Sequence, residues 1–189
     1  ILVDNTGNYL LISATGAKVT AQNTGKVSVL KAKDNVFYNI QTLTAPIDGA
    51  SAFGSSMNAD VSNDVLVISA SGADHNLTNP FDSAATTFDS KSTTFYGTVG
   101  NSGAVYVFNR YENKYLFAQE ITDGSTVAGR GFGSSVFATD EAVVVGAPGN
   151  SLEVGSMVVF DKNNEYNNSW NLLRQEEELV DISRFRKIY

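Results

Sequence analysis

The residues of this chain that could carry out chemistry are few, and their surroundings lack a catalytic signature. His75 is the only histidine, and it lies in the polar stretch GADHNLTN with no Gly-x-Ser-x-Gly nucleophile motif beside it. Carboxylates are numerous, but no pair of them lies in an apolar setting that would separate two pKa values for acid–base catalysis. We therefore expect a protein that is not an enzyme.

Composition excludes several other classes of function. The chain has 189 residues, of which 42% are hydrophobic, and it carries a formal net charge of −7. Its 13 basic residues are scattered, whereas binding of a phosphate backbone needs clustered Lys and Arg, so nucleic acid is not an expected partner. No apolar run approaches the roughly 18 residues that span a bilayer, so membrane insertion is not expected. The absence of cysteine excludes disulfides and thiolate metal sites.

A repeated unit organises the sequence. The stretch AFGSSMNADVSNDVLVISASG (52–72) aligns with GFGSSVFATDEAVVVGAPG (131–149), with two extra residues in the turn of the first stretch. NYLLISA (8–14) is a third copy of the middle part of this pattern. Self-similarity of this kind indicates one supersecondary unit that is used several times.

Two further elements follow in each unit. The first is a Gly with apolar residues at two-residue spacing after it, as in GKVSVL (25–30), GAVYVF (103–108) and GSMVVF (155–160). The second is found in VFYNIQTLTAPIDG (36–49), KYLFAQEITDG (114–124) and SWNLLRQEEEL (169–179). Each unit thus offers about four short β-strands, separated by turns rich in Gly, Asn, Asp and Ser.

The apolar patterns favour strands over helices. Residues 65–68 and 143–145 are apolar on both faces, which predicts strands that are covered on both sides. No stretch of a dozen residues carries a clear helical stripe. RQEEELVDISRF (174–185) is the best candidate for a helix, but its place in the repeat favours a strand followed by a loop.

Four-stranded sheets repeated radially form a β-propeller, which typically closes with about four to eight blades. The predicted fold class is therefore all-β, with about three four-stranded antiparallel blades that form an incomplete propeller or part of a larger one. The alternative is a β-sandwich made by tandem duplication. The predicted units are residues 1–52, residues 53–131 with an insert at 74–97, and residues 132–184, with a diverged fourth unit starting at 185–189.

The order of these motifs resembles the FG-GAP repeat, which occurs in the β-propeller of integrin α-chains and in bacterial and viral surface proteins. The resemblance rests on Phe-Gly, a Ser, a short polar turn, β-branched residues, Gly-Ala-Pro and then Gly-x-Val-x-Val-Phe, and it is fullest over residues 131–161. It implies buried phenylalanines between blades, glycines at close backbone contacts and a proline that ends a strand. The residues in these scaffold roles are Phe53, Gly54, Phe132, Gly133, Gly146, Ala147 and Pro148.

Blades of the integrin type can carry a calcium loop in the turn between Phe-Gly and Gly-Ala-Pro. Calcium takes six to eight oxygen ligands, so several carboxylates must converge on one loop. The turn NADVSND offers Asp60, Ser62 and Asp64 without the Gly of the family's loop, and the turn ATDE (138–141) is too short to enclose an ion. Both turns resemble the metal-free form of the repeat. We expect no cofactor, and Asp60 and Asp64 are the weak candidates for calcium.

The insert of the middle unit contains two near-copies of seven residues, FDSAATT and FDSKSTT, followed by Phe-Tyr. Long loops in compact domains are commonly functional. Phe81, Phe88, Phe95 and Tyr96 would then contact a partner, because exposed aromatic residues dominate interface energetics. The alternative is an elaborated hairpin that packs these rings on its own blade.

These expectations combine into a non-catalytic propeller module that presents loops to a protein or glycan partner, outside a cell or on a virion surface. Further propeller blades, in the same parent chain or in an assembly, are the other expected partners. One alternative is an accessory propeller of a larger secreted enzyme, and another is a virion or appendage component that completes its propeller with other chains. Two glycosylation sequons, at Asn76 and Asn167, would suit an extracellular location.

Overall fold

A computed structural model describes residues 1–3, 8–20, 24–46, 50–60, 62, 64–78, 95–123, 128–149, 155–163 and 169–177. Within these ranges the regular structure is all-β, and it forms propeller blades, which confirms the predicted fold class. The same ranges contain no helix that is long and apolar enough to cross a membrane.

The strands are short and follow one another closely along the chain. In the described residues they are β1 (Leu2–Val3), β2 (Tyr9–Lys18), β3 (Thr24–Lys33), β4 (Val36–Leu43), β5 (Phe53–Ala59), β6 (Val65–Ala70), β7 (His75–Thr78), β8 (Phe95–Val99), β9 (Ala104–Tyr111), β10 (Lys114–Ile121), β11 (Ser135–Ala138), β12 (Ala142–Ala147), β13 (Ser156–Asn163) and β14 (Ser169–Glu177).

The strands build three four-stranded antiparallel sheets and one hairpin. Blade 1 consists of β1 to β4, blade 2 of β5, β6, β9 and β10, and blade 3 of β11 to β14, with neighbouring strands in chain order. The separate hairpin pairs β7 with β8, which lie at the two ends of the insert. The insert thus extends the connection between the second and third strands of blade 2 and leaves its four-stranded sheet intact.

Two hydrophobic cores lie between the blades. Leu66, Ile68 and Tyr106 of blade 2 belong to the core shared with blade 1, whereas Val67 and Val105 belong to the core shared with blade 3. Successive side chains of a strand point to opposite faces, so blade 2 contributes to both cores at once. Every residue of β6 is consequently buried, as its unbroken apolar pattern predicted.

β12 is buried on one face only. Val143, Val145 and Ala147 pack against blade 2, while Val144 and Gly146 between them are partly exposed. The prediction that this strand is covered on both sides is therefore wrong for the described part of the chain. The physical reason is that none of the described strands packs on the face of blade 3 that is directed away from blade 2.

The best candidate for a helix, residues 174–185, begins within the fourth strand of blade 3. β14 pairs with β13 from Ser169 to Glu177, so the start of the segment 174–185 is extended, as its place in the repeat predicted. The rest of that segment and the predicted fourth unit at 185–189 lie outside the described residues.

Candidate functional site

The first strands of blades 2 and 3 lie side by side. In β11, the N–H groups of Val136 and Ala138 donate to the Ser56 Oγ atom at 3.2 Å and to the Asn58 Oδ1 atom at 2.9 Å, both in β5. An edge strand presents unpaired N–H groups. Side chains of blade 2 satisfy two of these groups and thereby fix the position of β11.

In the turn that follows each of these strands, the side chain of the first turn residue accepts hydrogen bonds from later residues of the same turn. Asp60 is 2% exposed, and its carboxylate accepts hydrogen bonds from the Ser62 hydroxyl and, at 3.1 Å, from the Val65 N–H. Thr139 occupies the same repeat position in blade 3, and its Oγ1 atom accepts the Ala142 N–H at 2.8 Å. Short polar side chains commonly bond nearby backbone groups in turns.

A cleft of about 550 Å³ opens between these two turns. This volume is in the usual range of small-molecule sites. The ring of Phe137 is 56% exposed, and the Asp140 carboxylate is exposed as well. The lining residues are Asn58, Ala59, Asp60, Ser62, Phe137, Ala138, Thr139 and Asp140.

The cleft offers hydrogen-bond acceptors and one aromatic face. Its described lining contains two carboxylates and lacks Lys and Arg. The Asp60 carboxylate is engaged within its own turn, so Asp140 is the carboxylate that can accept hydrogen bonds from a ligand. The Phe137 ring can pack against an apolar ligand face. This chemistry suits an uncharged, hydroxyl-bearing molecule and opposes a phosphate group.

The two weak calcium candidates do not converge in this structure. Asp60 accepts two hydrogen bonds within its turn, which a cation would have to displace, and Asp64 is exposed. The described residues include no cluster of three or more His, Asp or Glu side chains that could hold a metal ion. The expected lack of a cofactor stays a prediction.

The glycines of the two Phe-Gly pairs lie at blade contacts. Gly54 has φ of +91° and Gly133 has φ of +88°. A Cβ atom built on either glycine would lie 2.8 Å from the Cβ atom of a serine in the preceding blade, Ser13 or Ser69. Both positions combine a left-handed backbone with a close approach, and both conditions favour glycine.

The other predicted scaffold residues lie in the strands of blades 2 and 3 or next to them. Phe53 and Phe132 are fully buried, each in the core between its own blade and the preceding one. Ala147 is buried at the end of β12, Gly146 precedes it, and Pro148 is exposed directly after the strand. None of the seven scaffold residues lines the cleft.

The aromatic residues of the insert are only partly described. Phe81 and Phe88 lie outside the described residues, and Phe95 and Tyr96 belong to β8, for which the strand pairing is known. Of the two sequons, Asn76 is in β7 and Asn167 lies outside the described residues. Contact of these aromatic residues with a partner stays a prediction.

Among the described residues, the Tyr106 hydroxyl has a strongly shifted pKa, and this residue is part of a core. Burial raises the pKa of the Tyr106 hydroxyl well above its ordinary value, and the charge of Glu120 together with its hydrogen bond to the hydroxyl raises it further. Tyr106 packs against Phe53 with 5.7 Å between ring centroids. It does not line the cleft, so the shift reflects core packing.

Sequence reasoning did not identify this cleft, and it named the lining residues Asp60 and Ser62 only in connection with calcium. Asn58, Phe137 and Asp140 come from two repeats that are about eighty residues apart, as the separation in the bond from Ala138 to Asn58 shows. The short turn at Asp140 was considered only as a place for calcium. One signal was present, because Phe137 is a large apolar residue directly before a polar turn.

Comparison with known proteins supports the fold alone. No protein-family model matches the chain, and no curated protein sequence matches it. Among solved structures, a candidate 6-phosphogluconolactonase from Bacteroides fragilis is similar, with a TM-score of 0.54 and 11% sequence identity. The match covers 93% of this chain and 38% of that chain, so this chain spans well under half the length of its neighbour.

This neighbour corrects the functional prediction. It is named as an enzyme, and its fold is propeller-like. The inference from repeated blades to a non-catalytic interaction module is therefore wrong, and so is the expectation that the chain is not an enzyme. The physical reason is that a propeller scaffold can carry a catalytic site on its turns, whatever its blades look like in sequence. What the similarity shows for this chain is a β-propeller-like arrangement of its sheets.

Proposed function

We propose that this chain is part of a propeller enzyme that acts on a sugar-derived substrate, and that the cleft between blades 2 and 3 binds the uncharged, hydroxyl-rich part of that substrate. The observation that carries the proposal is the cleft itself, which both the exposed Phe137 ring and the exposed Asp140 residue line. The name of the structural neighbour supports the choice of a sugar lactone as the first substrate to test.

Each side chain has a distinct part in this proposal. The ring of Phe137 packs against the C–H face of a sugar, and the Asp140 carboxylate accepts hydrogen bonds from its hydroxyls. A carboxylate beside a lactone carbonyl can also take a proton from the attacking water as a general base. Asp60 has a positioning role, because its bonds to Ser62 and Val65 hold the turn.

The negative charge of the cleft opposes the phosphorylated sugar that the neighbour's name indicates. A phosphorylated sugar brings negative charge to a cleft whose described lining has two carboxylates and no cation. The net charge of the chain, −7, adds to the repulsion. We therefore expect an unphosphorylated lactone to be preferred over its 6-phosphate.

Binding of D-glucose, an uncharged sugar ring, and hydrolysis of glucono-δ-lactone test this proposal. Binding is measured by saturation-transfer NMR, and hydrolysis by base consumption above the spontaneous rate. Phe137→Ala is expected to weaken binding about tenfold, since it removes the packing surface. Asp140→Asn is expected to lower hydrolysis by about 100-fold, since it removes the general base.

Tyr111→Ala is the matched control, because this ring is 67% exposed and does not line the cleft. It should leave both measurements unchanged. Failure of the chain to bind D-glucose or to hydrolyse the lactone would contradict the proposal. Tighter binding of the 6-phosphate than of the unphosphorylated lactone would contradict the assignment of substrate class.

We further propose that the repeat belongs to the FG-GAP type in its metal-free form. The support is local geometry, since Gly54 and Gly133 take the same left-handed conformation and the same contact with a serine of the preceding blade. Two independent copies of one such contact indicate a conserved mode of blade packing within the chain. A side chain at either position should therefore weaken the contact between two blades.

A further inference from the structure

We propose that two cations at the contact between blades 1 and 2 form a binding site for the carboxylate group of a small hydroxy acid. The site, called the basic cluster, consists of Lys31 in β3, Arg110 in β9, and the neighbouring Tyr9 and Asn113. The assignment to a carboxylate rests on the geometry of the cluster. The choice of a hydroxy acid rests on the proposed function, because hydrolysis of a sugar lactone yields one.

The basic cluster is built around the ring of Tyr9, which is 5% exposed. The Arg110 Cζ atom lies 4.4 Å from the centroid of this ring, and the Lys31 Nζ atom lies 5.4 Å from it. The Arg110 Nη2 atom donates to the Tyr9 hydroxyl at 2.8 Å. That hydroxyl and the Lys31 Nζ atom both donate to the Asn113 Oδ1 atom, at 2.8 and 2.7 Å. A continuous chain of hydrogen bonds therefore holds the two cations close to each other.

The positive charge of the basic cluster is not neutralised by an ion pair. In the part of the chain that the structure describes, neither Lys31 nor Arg110 is paired with a carboxylate. Both side chains are only partly buried, and Asn113 is exposed, so a ligand can reach them. Two like charges around one ring repel each other, and an anion bound between them offsets this repulsion.

The next blade contact shows that packing does not require such a cluster. Between blades 2 and 3 the register pairs Val65 with Asn109, at the positions that the tyrosine and the lysine of the cluster occupy in blade 1. Lys162 is the equivalent of Arg110, since the N–H group of each donates to a carbonyl oxygen in the first turn of its own blade. One cation without a phenol is enough at that contact, so the second cation in the basic cluster indicates a ligand.

The donors that are left in the basic cluster match a carboxylate. The Nε and Nη2 atoms of Arg110 donate to the Glu112 carbonyl oxygen at 3.0 Å and to the Tyr9 hydroxyl. Its Nη1 atom and the second N–H of Nη2 have no partner among the described residues, and such a planar pair of N–H groups can bind both oxygens of a carboxylate. Lys31 donates one of its three N–H groups within the cluster, which leaves two for a ligand.

The charge near the basic cluster favours a ligand with a single negative charge. Glu112 and Asp64 are exposed acidic residues whose carbonyl oxygens accept hydrogen bonds from Arg110. The whole chain has a net charge of −7. Both features oppose a multiply charged anion, such as a phosphate monoester, more strongly than a carboxylate. The expected ligand is therefore a monocarboxylic acid.

The basic cluster lies at the same end of blade 2 as the cleft but on the other face. The Arg110 N–H donates to the Asp64 carbonyl oxygen at 2.8 Å, in the turn whose residues Asp60 and Ser62 line the cleft. Tyr9 belongs to the core between blades 1 and 2, whereas the cleft lies between blades 2 and 3. An acidic cleft repels a carboxylate, and a basic cluster attracts it. The two sites thus prefer different sides of the proposed reaction, the neutral lactone and the anionic acid.

Titration of the isotope-labelled full chain with gluconate, followed by NMR, tests the proposal. We expect saturable shifts of the Arg110 Nε–H signal and of the Asn113 side-chain amide. Lys31→Met is expected to raise the Kd for gluconate about fivefold or more, because it removes one cation and its donors. Arg110→Lys should raise the Kd by about as much, because an ammonium group keeps the charge but lacks the planar pair of donors. The spectra also report whether each variant is folded.

Lys33→Met and Lys114→Met are the matched controls, because these exposed lysines of β3 and β10 lie outside the basic cluster. Each control removes the same charge as Lys31→Met and should change the Kd less than about twofold, since exposed charges at a distance are screened. Equal weakening by the controls would assign the effect to overall charge and overturn the site. D-glucose has no carboxylate and should not shift the signals of the cluster.

Acetate distinguishes a hydroxy acid from a simple carboxylate. Gluconate that binds no more tightly than acetate would overturn the hydroxy acid as the ligand, and the absence of saturable shifts with both anions would overturn the site. The outcome is separate from that of the cleft. Hydrolysis of the lactone without gluconate binding at the basic cluster overturns this inference alone, whereas gluconate binding without hydrolysis contradicts the proposed function alone.

Discussion

At the scale of single residues, glycines with the same sign of φ differ in what surrounds them. Gly129 and Gly133 have φ of +73° and +88°. A Cβ atom on Gly129 would meet no atom within 4 Å, whereas one on Gly133 would meet the Ser69 Cβ atom at 2.8 Å and the Ala104 carbonyl oxygen at 3.2 Å. Substitutions at these two glycines therefore separate two losses of folding free energy. One comes from a left-handed backbone and the other from a disturbed blade contact.

Gly133→Ala is expected to lower the free energy of unfolding by about 2–4 kcal/mol, because backbone strain of about 1–2 kcal/mol is added to displacement of the Ser69 contact. Gly129→Ala should cost only about 1–2 kcal/mol, from backbone strain. Urea denaturation of both variants measures the difference. Equal losses would show that the blade contact at Gly133 contributes nothing.

At the scale of elements, the outer strands join the blades through one repeated device. The Gln119 side chain donates to the Trp170 carbonyl oxygen at 2.9 Å and accepts the Trp170 N–H at 2.7 Å, and Gln41 bonds Tyr115 in the same way, at 2.8 Å in both directions. A register irregularity accompanies the device in both blades, between Val29 and Leu30 and next to Gln119. An irregularity of this kind re-aims side chains along a strand.

Gln119→Leu is expected to lower the free energy of unfolding by about 2–3 kcal/mol, since it leaves two backbone groups of Trp170 without their partner. Gln41→Leu should have a similar effect at the contact with blade 1. Chemical denaturation followed by Trp170 fluorescence provides the measurement. A loss below about 0.5 kcal/mol in both variants would show that water replaces the glutamine without cost.

At the scale of the whole molecule, the described strands are stacked so that, among them, the middle blade alone is covered on both faces by other blades. Val67 of blade 2 is fully buried, and Val144, its repeat equivalent in blade 3, is partly exposed. The two residues are of one type and hold one position in equivalent strands, so their difference comes from the position of the blade in the stack.

Val67→Ala is expected to lower the free energy of unfolding by about 2 kcal/mol, because it removes buried methyl groups and leaves a cavity. Val144→Ala should cost less than about 1 kcal/mol, since its side chain is only partly removed from water. Thermal or urea unfolding of the two variants tests the contrast. A larger loss for Val144→Ala would mean that the face of blade 3 directed away from blade 2 is covered in solution.

Much of the fold could be predicted because local sequence patterns specify it. Alternating apolar residues and Gly-rich turns specify four strands per unit, and the repeat of Phe-Gly at residues 53 and 132 specifies that the units are equivalent. The one-sided burial of β12 could not be predicted, because the same run of valines is found in covered and in open strands. Burial depends on the neighbouring blade, which the local pattern does not contain.

The sequence by itself determined the all-β class, the number of strands in a unit and the glycines on which blade packing depends. Only the tertiary structure decided where a ligand could bind, because Asn58 and Phe137 belong to different blades and meet through hydrogen bonds between their first strands. A search for catalytic motifs along the chain cannot detect such a site. Its residues are brought together by blade packing, and their spacing along the sequence does not predict that contact.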